Sequence, residues 1–198
     1  MLGFDAQQIG ITVLEDNPVK ASRGGWVFHA EQPDPLGNQD LRQLYDQLSP
    51  GYQGRCTAPL LVDKKTRKIV SNESSDIVRM LNEVSLGKKE KNLNLYPAGL
   101  EKEIDDTNEW VYHQLNNGVY RCGFSTLQSA YDRASSDVQK GLERCEGILG
   151  NQDYLCGDSF TEADLRLLPT ILRFDGAYAP LFKVSLKLIF LNRILLCE

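Results

Sequence analysis

The stretch TAPLLVDKKTRKIVSNESSDIVRML, Thr57 to Leu81, decides how the rest of the chain is read. Two apolar runs, Leu60–Leu61–Val62 and Ile69–Val70, flank the polar segment Lys64 to Lys68. Short apolar runs on either side of a polar turn predict a β-hairpin. Beyond it, Ile77, Met80, Leu81 and Val84 recur at helical spacing, with Asn72 or Ser71 as the expected N-cap. The first turn of a helix presents unpaired N–H groups and the positive end of the dipole, so this arrangement can hold a carboxylate. Pro59 stands where a strand opens. Proline there reads either as a trans residue at a sheet edge or as a cis bond that bares the preceding N–H and C=O to a ligand.

Working outward, a chain of 198 residues with 41% hydrophobic and 25% charged residues is ordinary for globular folding and long enough for two small domains. A net charge of −5 argues against nucleic acid as the main partner. The five cysteines, Cys56, Cys122, Cys145, Cys156 and Cys197, form no CxxC pair and no spacing with His29 or His113 that suits zinc. Reduced thiols and a cytoplasmic setting are the expectation, with no metal. The most apolar segment, Leu186 to Glu198, is broken by Asn192 and Arg193 and falls short of the about 20 residues a bilayer needs, so no membrane is expected.

Toward the N-terminus, alternating Ile9, Ile11 and Val13 predict a strand. A Gly- and Pro-rich loop follows from 15 to 38 and contains Gly24–Gly25–Trp26–Val27–Phe28. Leu41, Leu44, Tyr45 and Leu48 mark one face of a short helix stopped by Ser49–Pro50–Gly51. Past 85 the periodicity gives way to charge, which predicts an interdomain linker. Helices fill the remainder. Leu100, Ile104, Trp110 or Val111, and Leu115 mark the first, and Asn116–Asn117–Gly118 interrupts it. Apolar residues from Phe124 to Leu149 then predict one long amphipathic helix ended by Gly150. Thr161-Glu162-Ala163-Asp164 has the form of a capping box.

A proline opening a strand, a hairpin, and Glu-Ser at a helix start resemble the glutathione-binding half of a glutathione transferase. The fuller run YQGRCTAPLLVDKKTRKIVSNES, together with GGW, NNGVY, TEAD and RFD in order, resembles the glutathionyl-hydroquinone reductases, the Xi class related to Omega. The resemblance covers about residues 9 to 187. It implies a mixed α/β plus all-α architecture: a partial thioredoxin-like domain over 1–86, a linker over 87–99 and a helical transferase domain over 100–198. It implies glutathione as co-substrate, held by Trp26, Arg55, Ala58, Pro59, Glu73 and Ser74, and aromatic quinol conjugates met by Tyr120 and Tyr178. From the residues alone, Trp26 also reads as a loop anchor, Arg55 as a solvated surface residue and Tyr120 as a structural residue at a helix break. Cys56 reads as packing, with no basic neighbour evident.

In the resembled family a cysteine thiolate attacks the glutathione sulfur, releases the hydroquinone, and is regenerated by a second glutathione. The expectation is that this cysteine lies ahead of Met1, so none of the residues here is assigned as catalytic, and that both ends are cut. The alternative is a non-catalytic isoform or partial gene product that binds glutathione weakly or serves as an interaction module. A transferase of another class would need a Tyr or Ser at the end of a first strand. Family members form dimers, a property the residues themselves do not express.

Overall fold

The computed structural model describes residues 8–15, 17–20, 25–86 and 94–184. The chain forms two compact units, one within 1–93 and one within 94–198.

The first unit is built on a small core. Helix α1 (Leu41–Leu48) is capped by Asp40, whose carboxylate accepts the Gln43 N–H at 2.8 Å. Its buried face is Leu41, Leu44 and Tyr45, three of the four residues whose spacing predicted it. Leu14, Phe28, Leu36 and Leu60 pack partly buried around them. Strands β1 (Leu61–Asp63) and β2 (Lys68–Ser71) form the expected antiparallel hairpin, pairing Val62 with Ile69 and Asp63 with Lys68. The turn is closed by the Asp63 carboxylate, which accepts the Lys65 and Thr66 N–H groups at 2.8 and 3.2 Å. Helix α2 (Ser74–Leu86) begins one or two residues later than the sequence suggested. Ser71 is still the last residue of β2, and its Oγ accepts the Glu73 N–H at 3.0 Å rather than capping the helix.

The strand expected over Ile9 to Val13 does not form. Alternation makes a strand only where a neighbour completes the ladder. Among the described residues this segment has a single bridge, Leu14 to Phe28. Ile11 and Val13 are exposed.

The second unit is all helical. Leu95 is buried, and its carbonyl accepts the Glu162 N–H at 2.8 Å. Helix α3 (Glu101–Trp110) continues into a wider π-type turn, Val111–Asn116, and after Asn117 into α4 (Gly118–Gly123). The interruption read at Asn116–Gly118 is therefore a change of winding within a nearly continuous rod. Helix α5 (Gln128–Leu149) starts four residues later than expected. Ser125 turns its hydroxyl back onto the Arg121 carbonyl, and Leu127 is extended, at φ −118° and ψ 135°. Phe124 and Leu127 thus lie outside the helix and are exposed.

The core gathers Ile104, Val111, Leu115, Val119, Val138, Cys145 and Phe174, all fully buried. Helix α6 (Glu162–Arg173) carries the capping box in full: Asp164 Oδ2 accepts the Thr161 N–H at 2.9 Å and its hydroxyl at 3.0 Å. Asp164 Oδ1 also accepts the Leu155 N–H at 2.7 Å, tying the preceding loop to the helix. The chain then passes through a second π-type turn, Phe174–Tyr178, into α7 (Ala179–Phe182). No helix among the described residues is long and apolar enough to cross a membrane.

Candidate functional site

In the first unit, two loops carry four of the six sequence-predicted glutathione residues. The Ala58–Pro59 bond, just ahead of β1, is cis. Thr57 beside it is held from two sides. The buried Tyr45 of α1 donates its hydroxyl to the Thr57 carbonyl at 3.0 Å, and Asn72 donates its amide to Thr57 Oγ1 at 3.1 Å. That second bond joins the Ala58–Pro59 loop to the turn carrying Glu73 and Ser74, so the four residues stand on adjoining loops.

Glu73 and Ser74 are exposed at the start of α2. The Glu73 carbonyl accepts the Ile77 N–H at 3.0 Å and so begins the helical bonding. Its carboxylate draws in the hydroxyls of Ser75, at 3.3 Å, and Ser74, at 3.5 Å. The cluster combines an acidic acceptor with hydroxyls and first-turn N–H groups, of which the Ser75 N–H points to the Glu73 carboxylate at 3.5 Å. Those are the two kinds of partner that an amino-acid end requires: an anion for its ammonium, and N–H and O–H donors for its carboxylate.

Trp26 and Arg55 are not drawn into this cluster by any contact among the described residues. Trp26 is 48% exposed and is fixed through its backbone, its carbonyl accepting the Leu41 N–H at 2.8 Å. Arg55 is exposed, and its carbonyl accepts the Tyr52 hydroxyl at 3.1 Å. Both present side chains to solvent, available to a ligand that reaches them.

Cys56 packs partly buried against the α1 cluster, as its sequence reading has it, but the expected lack of a basic neighbour does not hold. Arg42 of α1 donates from Nη1 to the Cys56 Sγ at 3.2 Å and to the Tyr52 carbonyl at 3.5 Å. A basic neighbour is therefore present. It comes from fourteen residues upstream, where no local spacing announces it. Burial pushes the other described thiols up: Cys122, Cys156 and, to about 12, Cys145. A thiol held protonated is a poor nucleophile, and all three are buried in the core.

The second unit brings Tyr120 of α4 and Tyr178 together across 58 residues, their hydroxyls 3.0 Å apart and their rings edge-to-face at 5.5 Å. Tyr178 is 7% exposed and Tyr120 is 42% exposed, so one phenol anchors and the other meets solvent. Burial, with the hydroxyl of Tyr120 beside it, pushes the Tyr178 phenol up to about 12. Phe124 and Phe182, which the sequence reading did not single out, complete a four-ring wall. Phe182 stacks on Tyr178 at 5.8 Å, and Phe124 stacks on Tyr120 at 6.2 Å. Phe124 is 73% exposed. The signal that could have found it was its place in the GF pair after NNGVYRC, where apolar periodicity assigned it to a buried stripe instead.

The model of the glutathione S-transferase C-terminal domain matches residues 128–191. Glutathionyl-hydroquinone reductase YqjG of Escherichia coli is 44% identical over 178 residues, covering 87% of this chain and 54% of that protein. PcpF of Sphingobium chlorophenolicum, also a glutathionyl-hydroquinone reductase, is 43% identical over 167 residues, covering 82% of this chain and 53% of its own. The glutathione-bound structure of YqjG superposes with a TM-score of 0.80 over 86% of this chain and 57% of that one. The Xi transferase of Phanerochaete chrysosporium superposes at 0.84, with 40% identity, over 95% of this chain and 66% of its own. The chain spans about half the length of the curated relatives it matches.

Proposed function

We propose that this chain, a close homologue of glutathionyl-hydroquinone reductases with the fold of Xi-class glutathione transferases, takes part in the glutathione-dependent reduction of glutathionyl-hydroquinones. The observation that carries the reading is the Tyr120–Tyr178 pair, two phenols 3.0 Å apart at the edge of an aromatic wall. A quinol ring offers a flat π face and hydroxyl oxygens. The wall offers rings to stack on and a phenol to hydrogen-bond them. Burial holds the Tyr178 phenol in its protonated form at neutral pH, so it donates to an oxygen and does not abstract a proton from one.

In this reading the first unit grips glutathione. Glu73 pairs with the γ-glutamyl ammonium. Ser74 and the first-turn N–H groups of α2 take its carboxylate. Ala58, beside the cis proline, pairs through its backbone with the cysteinyl part. Arg55 meets the remaining carboxylate and Trp26 covers the peptide. The reaction breaks the bond between the ring carbon and the glutathione sulfur under attack by a cysteine thiolate. The ring carbon keeps the electron pair and takes a proton, which yields the free hydroquinone. A second glutathione then resolves the mixed disulfide and leaves as glutathione disulfide. None of Cys122, Cys145 and Cys156 suits the attack, because burial keeps them protonated. A reducing, cytoplasmic compartment would supply the glutathione that this chemistry consumes.

The test is release of menadiol from its glutathionyl conjugate, followed by chromatography, with the protein purified from its own cells. Glutathione-dependent release that falls about tenfold or more in Y120F supports the reading. Binding of glutathione with no release at any concentration would favour the non-catalytic alternative, a glutathione-binding module.

A further inference from the structure

We infer that Gly123 is a positioning residue for recognition of the aromatic ring: its missing side chain is the seat of Phe182, and Phe182 ties the four-ring wall together. The inference rests on the aromatic-wall reading above and adds to it a residue that touches no ligand.

Gly123 is the last residue of α4. A Cβ built there would lie 2.4 Å from both Cγ and Cδ1 of Phe182 and 2.7 Å from Cε1. Carbon atoms in contact sit about 3.5 to 4.0 Å apart, so an alanine does not fit while Phe182 stays where it is. Which atoms clash decides what must move. The position of Cγ depends on χ1 alone, so flipping the ring about χ2 gives no relief. Only a change of χ1, or a backbone shift, clears the space, and a change of χ1 swings the whole ring away.

The backbone on the far side of Phe182 is pinned. Lys183 adopts a left-handed conformation at φ 54°, and its carbonyl accepts the hydroxyl of Tyr131 from α5. Val184 is buried at 1% exposure, and its carbonyl accepts Ser135 Oγ at 3.3 Å. The ring is therefore the part free to yield.

Moving it would open the wall at its centre. Phe182 touches each of the other three rings: Phe124 at 5.6 Å, Tyr178 at 5.8 Å and Tyr120 at 5.9 Å. It links the exposed Phe124 to the buried Tyr178, two rings with no direct contact of their own among the described pairs. Glycine is a poorer helix former than alanine. Here the space that alanine would occupy is already filled by a ring.

The experiment uses 2-naphthol, a fused ring with one hydroxyl, whose fluorescence reports binding. The whole chain is compared with G123A, F182A and the double variant, and glutathione affinity is measured on each by calorimetry. The expected result is an affinity for 2-naphthol about tenfold lower in G123A and in F182A, no further loss in the double variant, and unchanged glutathione affinity throughout. Wild-type affinity for 2-naphthol in G123A would overturn the inference and leave the wall standing. So would a double variant markedly weaker than F182A. That second comparison also decides the matter if G123A alone does not fold, because F182A removes the clash. A wild-type chain that binds glutathione but not 2-naphthol would overturn the aromatic-wall reading itself, and this inference with it.

Discussion

The two units solve the problem of presenting a site in opposite ways. In the second, a thick core stands behind the candidate ring-binding residues: Phe174 is fully buried, and the buried Tyr178 bonds the exposed Tyr120. The positions of these rings are set by packing. In the first, the buried apolar residues among those described are Leu41, Leu44 and Tyr45, and the candidate glutathione residues are exposed. The loop carrying Ala58 and Pro59 is held by two polar bonds, Tyr45 to Thr57 and Asn72 to Thr57. A packed site has its geometry enforced by many weak contacts, whereas a bonded site can be undone by one.

Core truncation should widen the contrast most. Phe174→Ala should lower protection in the second unit by about 4 kcal/mol, as removal of a fully buried ring does. Leu44→Ala should cost the first unit about 2 kcal/mol, since its half-buried neighbours can close on the space. Native-state hydrogen exchange reads each unit through its own amides. Equal loss of protection in both units from either variant would break the contrast and show that they open as one.

The next effect is smaller. Asp164→Ala removes the carboxylate that caps α6 and takes the Leu155 N–H. It should cost on the order of 1 kcal/mol, seen as a lower thermal midpoint. No change would mean that the box follows the helix and does not help form it.

The gentlest probe is pH. The Tyr178 phenol titrates near 12 in the folded chain against an ordinary value of about 10, so the folded state favours its neutral form. Its contribution to stability is present in full below about pH 10 and fades as pH rises through 12. Absorbance at 295 nm should show a late tyrosine transition that Y178F abolishes. A Tyr178 that titrates with the exposed tyrosines would mean that the pair is open to water.

Much of this was legible in the residues. Period-2 and period-3.6 patterns found the hairpin and α1, and Thr161 to Asp164 declared their box, because each depends on neighbours in sequence. What escaped depends on neighbours in space. Phe124 kept the right spacing for α5, yet the bond from Ser125 to the Arg121 carbonyl ends the preceding turn and leaves Phe124 on the surface. Arg42 meets Cys56 only after α1 folds back on the loop. Ile11 and Val13 alternate as a strand does, but periodicity does not say whether a partner strand stands beside them. Tyr120 and Tyr178 could be named from the resemblance; that their hydroxyls meet is a fact of packing.

The most direct measurement is calorimetric titration of the chain with glutathione and with cysteinylglycine, which lacks the γ-glutamyl end, for wild type and E73Q. If Glu73 takes the γ-glutamyl ammonium, wild type prefers glutathione, and E73Q weakens glutathione about tenfold or more while leaving the dipeptide unaffected. Equal affinity of wild type and E73Q for glutathione would contradict the assignment of this helix start as the glutathione site.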